Sequence, residues 1–214
     1  MENKDCKIGL YDDCFNEIVF RSVKGNSTCL DVGCWTGNLG KALIEKKGCE
    51  IDGIDCKQEA LEKAKSRGYR ETYLIDLNSD KLDFDSENKY DFIICADVLE
   101  HLIDPGAVLK KIQKLLGAEG QILISVPNIA FIQQRLEIFA GKFNYSPRGG
   151  IMDENHLRFF TMQSIQKLCR ESGCHVIECR GYSQVKRKFF FLRPLAKIWP
   201  SLFAIQFFLK IKRK

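Results

Sequence analysis

A chain of 214 residues, 45% apolar and 29% charged, holds material for one α/β domain with an insert and excludes a disordered or fibrous protein. Its ten cysteines show neither C-x-x-C nor zinc-site spacing. They read as small reduced core residues in a cytosolic setting, not as a disulfide framework. The net charge of +5 is uneven: ten basic and no acidic residues follow Glu178, leaving 23 basic against 28 acidic before it, so the C-terminal end suits contact with something anionic.

The opening MENKDCKIGLYDD is charged throughout and lacks the apolar centre of a signal peptide. Residues 27–33 predict a buried strand, and 37–47 a helix with Leu39, Leu43 and Ile44 on one face. A second strand is expected at 50–55, a second helix at 57–67 and a third strand at 70–75. YDFIICA, 90–96, is apolar nearly throughout, as a central parallel strand should be. A helix over 104–116 enters through Asp104 and Pro105. A fifth strand follows at 120–126. Thr161 is the expected N-cap of a helix at 161–172, before a sixth strand at 173–179.

Between the fifth strand and that helix lies an insert, 128–160. Ile129, Ile132, Leu136 and Phe139 mark a helical face there, and a glycine- and proline-punctuated loop follows. It reads as a lid over an acceptor pocket. The basic, aromatic segment 186–214 suits a short interfacial helix at 186–198 and a last strand at 202–211. The apolar run within it is too short to span a bilayer. Repeated βα units predict one α/β domain over 1–214. It is a Rossmann-like, doubly wound, mostly parallel seven-stranded sheet with helices on both faces and an insert after the fifth strand. Ligands of such sheets sit beyond the carboxyl ends of the strands, here Gly33, Asp55, Asp76, Asp97 and Pro127.

The first strand runs into LDVGCWTGNLGKAL. A dinucleotide loop needs glycines two apart, so that backbone can touch a pyrophosphate. Here Cys34, Trp35 and Thr36 separate Gly33 from Gly37, and Asp31 lies close enough to repel a phosphate. This disfavours a nicotinamide oxidoreductase and favours a phosphate-free ligand with positive charge. Tryptophan at position 35 is sterically permissible if its φ is negative.

Four stretches in order, LDVGCWTGNLGKAL, IDGIDCKQEALEKAK, YDFIICADVLEHLIDP and GAEGQILISVPN, resemble the class I S-adenosylmethionine (SAM) dependent methyltransferases, over about 27–179. The resemblance implies SAM as cofactor. Backbone at Gly33, Cys34 and Gly37, with Asp31 beside it, would line the methionine part. Asp55 would accept the ribose hydroxyls, with Cys56 next to it. Asp76 would bond the adenine amino group and Leu77 would flank the ring. Ala96 and Asp97 would lie beside the methyl donor, with Tyr11 closing from the N-terminal segment.

A hydroxyl acceptor must lose its proton, to a general base or through metal coordination. Asp97, Glu100 and His101 are spaced i, i+3, i+4 and share a face if that turn is helical. His156 follows the lid. The set resembles the Mg²⁺ or Mn²⁺ site of small-RNA 2′-O-methyltransferases, and its first part resembles ubiquinone-pathway O-methyltransferases. Asp97 stands where a glutamate is usual, a shorter arm that weighs against a metal. The expectation is therefore His101, Glu100 and His156 as catalytic residues without a resident metal, with cation ligation and structural roles left open. His175 reads as an edge histidine. Tyr145, Arg148 and Arg158 are candidate contacts to an anionic or sugar acceptor.

ENHLRFFT with FAIQFFLKIKRK resembles methyltransferases of polysaccharide and O-antigen assembly. The expected activity is O-methylation of a small-molecule, glycan or lipid-linked acceptor. The expected place is the cytoplasm, with peripheral contact at the inner face of a membrane. The alternatives are an RNA 2′-O-methyltransferase and a SAM-binding protein without transfer activity. Basic residues do not alternate with stacking aromatics as in RNA modules, which argues against a nucleic-acid partner.

Overall fold

The computed structural model describes residues 15–79, 89–147, 149–182, 195 and 198–214. Tyr11, Arg148 and nearly all of the helix expected at 186–198 lie outside the described residues. Seven strands, β1 (Thr28–Val32), β2 (Glu50–Asp55), β3 (Thr72–Leu74), β4 (Tyr90–Ala96), β5 (Leu116–Pro127), β6 (Cys174–Tyr182) and β7 (Gln206–Arg213), form one sheet. Their order is β3-β2-β1-β4-β5-β7-β6. The strands from β3 to β5 pair in parallel, and β7 runs antiparallel to both β5 and β6.

Side-chain alternation along the strands makes two cores. Leu30, Val32, Ile93, Cys95, Ile122, Ile124, Phe207 and Leu209 face one side, where α4 (Pro105–Ile112) and α6 (Met162–Glu171) pack. Cys29, Ile51, Phe92, Ile94, Leu123 and Phe208 face the other, against α1 (Glu17–Ser22), α2 (Asn38–Lys47) and α3 (Gln58–Ser66). Strand order reverses between β1 and β4, so the crevice that opens beyond their carboxyl ends is the ligand end of the sheet.

Local signals act as expected at the helix entries. Asp104 accepts from the Ala107 amide at 2.9 Å, and Pro105 fills the first turn. Thr161 and Ser164 form a reciprocal capping box. The helix expected at 104–116 instead ends at Ile112 and tightens into a 3₁₀ turn, Gln113–Leu115, and β5 begins directly at Leu116. The last strand starts at Gln206, not at 202, because Pro200–Phe203 turns as a short helix, α7. All eight cysteines among the described residues are free; six are buried, Cys179 is half-buried and Cys56 is exposed.

The insert contains α5 (Ile132–Phe139), and its apolar residues do not face a core. Phe139 is 92% exposed and Leu136 60%, whereas Gln134 is buried. No helix among the described residues is long and apolar enough to cross a membrane.

One buried charge stabilises the β2–β3 side. Asp52 is wholly buried and receives Arg70 Nε at 2.9 Å, Arg70 Nη2 at 2.7 Å and the Tyr90 hydroxyl at 2.7 Å. Removing the carboxylate takes from Arg70 its bidentate partner and from the buried Tyr90 hydroxyl a charged acceptor, while Arg70 keeps Glu50 at 2.7 Å. Asp52→Ala is expected to lose about 1–3 kcal/mol of stability in urea denaturation, the worth of hydrogen bonds to a charged group with the guanidinium left half in water. An unchanged midpoint would show that the pair does not hold β2 to β4.

Candidate active site

The turn after β1 is built on left-handed backbone: Gly33 has φ +67° and Gly37 φ +79°. A Cβ at Gly33 would stand 2.7 Å from a Val98 methyl, so the turn is tightly backed. Trp35 corrects the sequence expectation, because its φ is +49°, left-handed and costly for a residue with a Cβ. The twist turns its amide to Asp55 Oδ2 at 2.8 Å. Its ring lies outward, 46% exposed, with Lys57 Nζ 4.5 Å from its centroid. Trp35 therefore serves the site through its backbone.

Asp55, at the end of β2, also accepts the Lys57 amide on Oδ1 at 3.0 Å. Each oxygen keeps a lone pair, so the carboxylate is oriented and can still accept two hydroxyls. Asp31 is buried beneath the turn and bonded to the Tyr69 hydroxyl at 2.6 Å. Burial pushes its carboxyl up to about 7, against the pull of that bond. Cys34 is buried and Cys56 exposed. Asp76 is exposed, accepting the Asn78 amide at 2.9 Å, and Leu77 is half-buried beside it. Asn78, which the sequence reading passed over, ties this loop to the next: it donates to the His101 carbonyl at 3.2 Å and accepts the Ile103 amide at 2.7 Å.

Beyond β4, Ala96 is half-buried and Asp97 has φ +57°. The expected shared face of Asp97, Glu100 and His101 is not formed. The left-handed residue turns the Asp97 carboxylate toward β5 and β7, where Oδ1 accepts Gln206 Nε2 at 2.7 Å and Ser125 Oγ at 3.1 Å. Asn16 donates to the same Ser125 Oγ at 2.9 Å. Gln206 and Asn16 were hidden from sequence reasoning, one in an apolar run and the other before a short helix.

Glu100 and His101 lie on a 3₁₀ turn, Leu99–His101. The returning insert docks on it: the Leu157 and Arg158 amides donate to the Glu100 carbonyl at 2.8 and 2.9 Å. This brings His156 to His101, ring centroids 4.8 Å apart. Glu100, His101 and His156 each offer a ligand atom within 4.8 Å of the others. Glu100 is 1% exposed, and neither of its carboxylate oxygens has a partner among the described residues. Burial raises its carboxyl well above the usual range, and the charge of Asp97 adds to this. Burial lowers His156.

Arg158 donates to the Ile103 carbonyl at 3.1 Å, Tyr145 is exposed beside Phe143, and His175 is exposed on β6. A depression of about 430 Å³ is lined by Trp35, Thr36, Lys57 and the first turns of α3, and by none of Asp55, Glu100, His101 or His156. It is not the reaction chamber.

This arrangement fits a cationic, phosphate-free donor: carboxylates at Asp31 and Asp55 around a glycine turn that presents backbone. A family model described as "Methyltransferase domain" matches residues 10–179. The chain belongs to the class I SAM-dependent methyltransferases, with SAM as its methyl donor. It is 27% identical over 167 residues to a ubiquinone biosynthesis O-methyltransferase of Hydrogenovibrio crunogenus, covering 76% of this chain and 67% of that one. It is 28% identical over 163 residues to the Haemophilus ducreyi protein of that name, covering 72% and 67%. The chain thus spans about two thirds of these relatives' length. Among solved structures, a SAM-dependent methyltransferase from Archaeoglobus fulgidus shares the fold with a TM-score of 0.66 at 14% identity, covering 92% of this chain and 90% of that one. One from Methanosarcina mazei does so with a TM-score of 0.66 at 16% identity, covering 93% and 98%.

Asp55→Ala is expected to weaken SAM binding about 100-fold in calorimetric titration, the worth of two hydrogen bonds to a charged acceptor. Trp35→Gly keeps the backbone contact and is expected to stay within about threefold, less than one such bond. A large loss in Trp35→Gly alone would place the ring, not the amide, at the donor.

Proposed function

We propose that this enzyme transfers the SAM methyl group to a hydroxyl oxygen of a small-molecule, glycan or lipid-linked acceptor. The observation that carries the reading is the gathering of Glu100, His101 and His156 in one cluster. A nitrogen acceptor brings its own lone pair, whereas a hydroxyl needs a group to take its proton.

Bound SAM supplies a methyl group already activated by the sulfonium charge. The chain's part is alignment and proton removal. His101 Nδ1 faces the Asn155 carbonyl at 3.1 Å and His156 Nδ1 the Ile151 carbonyl at 3.1 Å. A carbonyl only accepts, so each Nδ1 carries the proton, and in the neutral ring the basic lone pair sits on Nε2. Burial favours the neutral form of His156. Either Nε2 can then receive the acceptor proton.

The cluster also fits a divalent cation better than the sequence suggested. Glu100 presents two unpartnered oxygens at a buried position, and two imidazoles stand beside it. Glu100, His101 and His156 would hold the ion, whose chemistry is to acidify and orient an oxygen. Asp97 would not join them, being held by Ser125 and Gln206.

Two features support an acceptor with an apolar part, met at a membrane surface. Phe139, Phe143 and Tyr145 of the insert are exposed, as are Ile198 and Trp199. The Asn128 side chain donates to the carbonyls of Ser201 and Ala204, which roots the 198–205 segment beside the insert at the ligand end of the sheet. The relatives' name, ubiquinone biosynthesis O-methyltransferase, agrees with oxygen as the atom methylated.

The test is methyl transfer from labelled SAM to a panel of hydroxylated aromatics with and without isoprenoid tails, glycans and short RNAs, with and without a chelator. O-methylation of a non-nucleotide hydroxyl is expected. Glu100→Gln is expected to lower kcat about 100-fold or more, as loss of acid–base or Lewis-acid help does, with SAM affinity nearly unchanged. Transfer to nitrogen or to RNA, or full activity in Glu100→Gln, would overturn the reading.

A further inference from the structure

Tyr69, in the connection between α3 and β3, touches neither strand end nor cluster, yet the donor turn is built around it. It is 2% exposed. A Cβ at Gly37 would lie 2.8 Å from its ring, at Gly40 2.2 Å and at Gly53 2.9 Å, so three glycines make room for one phenol. Gly53 is also the residue of β2 paired with Asp31 of β1. The ring therefore fills the angle between the two strands and the first turn of α2. Its hydroxyl donates to Asp31 Oδ2 at 2.6 Å. The Gly40 amide, in that first turn, bears on the same oxygen. Helix α2 starts at Gly37 without a side-chain cap, so the phenol oxygen meets one of the amides that a helix start leaves open.

We infer that Tyr69 is a positioning residue for donor binding, acting through its hydrogen bond to Asp31 and through the glycine turn packed on its ring. Asp31 stands two residues ahead of Gly33, within the field of the donor's cationic end, and does not need contact to act on it. A carboxyl buried this deeply titrates near neutrality, at about 7, and the Tyr69 bond holds it down. The groups around it are Tyr69 from the α3–β3 connection, Asp55 from β2, Cys34 from the turn, Cys29 of its own strand and Cys95 from β4. Burial pushes the phenol and the three thiols upward, away from neutrality. The sign follows: a cationic ligand prefers ionised Asp31, so its affinity is full above the Asp31 midpoint and falls as pH drops through it. Losing the Tyr69 bond moves the midpoint up.

This inference rests on SAM as donor and not on the acceptor proposed above. The experiment is calorimetric titration of SAM between about pH 5.5 and 8.5 into the wild type, Tyr69→Phe and Asp31→Asn, each checked by circular dichroism. The ligand's own amino group, with a pKa of roughly 7.7–8.0, titrates alike in all three, so the differences carry the result. Wild-type affinity is expected to fall by up to about tenfold per pH unit below neutrality. In Tyr69→Phe the midpoint should rise by about one unit, the worth of one hydrogen bond to a charged group. Asp31→Asn should bind more weakly at pH 8 and lose the acid-side fall. A Tyr69→Phe profile that overlays the wild type, or an acid-side fall that persists in Asp31→Asn, overturns the inference. If Tyr69→Phe does not fold, an acid-side fall that persists in Asp31→Asn still overturns the inference, because Tyr69 is argued to act through that carboxylate.

Discussion

The reversal of strand order between β1 and β4 is the constraint on which the site depends. Because β2 and β4 flank β1 on opposite sides, the chain leaving β1 turns away from the chain leaving β4, and a crevice must open between them. The residues expected to read the donor stand on its rim. Asp55 ends the strand on one side, and Ala96 and Asp97 follow from the other. The Cys34 amide donates to the Ile54 carbonyl at 2.9 Å, so the turn itself is stitched to β2. Helices on both faces bury the sheet and leave this end as the open one.

A second, smaller joint completes the acceptor side. One carbonyl, that of Glu100, receives two amides from the chain returning out of the insert. A residue more than fifty positions further along thereby becomes the neighbour of His101. Burial at this joint does two things together. It leaves the Glu100 carboxylate without a partner among the described residues and fixes the imidazoles by their Nδ1 protons. A buried carboxyl without a hydrogen-bond partner is expensive to keep ionised.

The sequence carried the sheet well, because its signals are local and periodic. Apolar runs, the Asp104–Pro105 entry and the Thr161 cap each act within a few residues, and strands β2 and β4 were placed to the residue. The misses have a different physical origin. The left-handed φ of Trp35 and of Asp97 is imposed by tertiary hydrogen bonds from far along the chain, so no neighbouring residue announces it. The face shared by Asp97 and Glu100 assumed an α-helical turn, and one left-handed residue before a 3₁₀ turn removes it. The apolar face of α5 was marked from its periodicity, which reports a face and not what covers it, and Leu136 and Phe139 are exposed. Glu100, His101 and His156 were named from pattern, but their meeting depends on a loop closure that pattern does not encode.

The antiparallel strand β7 lies between β5 and β6, although it comes later in the chain than either. β6 is an edge strand that pairs with β7 alone, so β7 is what joins it to β5. β6 and β7 follow one another as strands and pair antiparallel, so residues 206–213 carry β6 onto the β5 edge. The core layer with Phe207, Phe208 and Leu209 depends on β7. Because Gln206 opens the same strand, the hydrogen bond it gives Asp97 depends on it too, and a chain cut before residue 206 would keep the glycine turn but lose that bond.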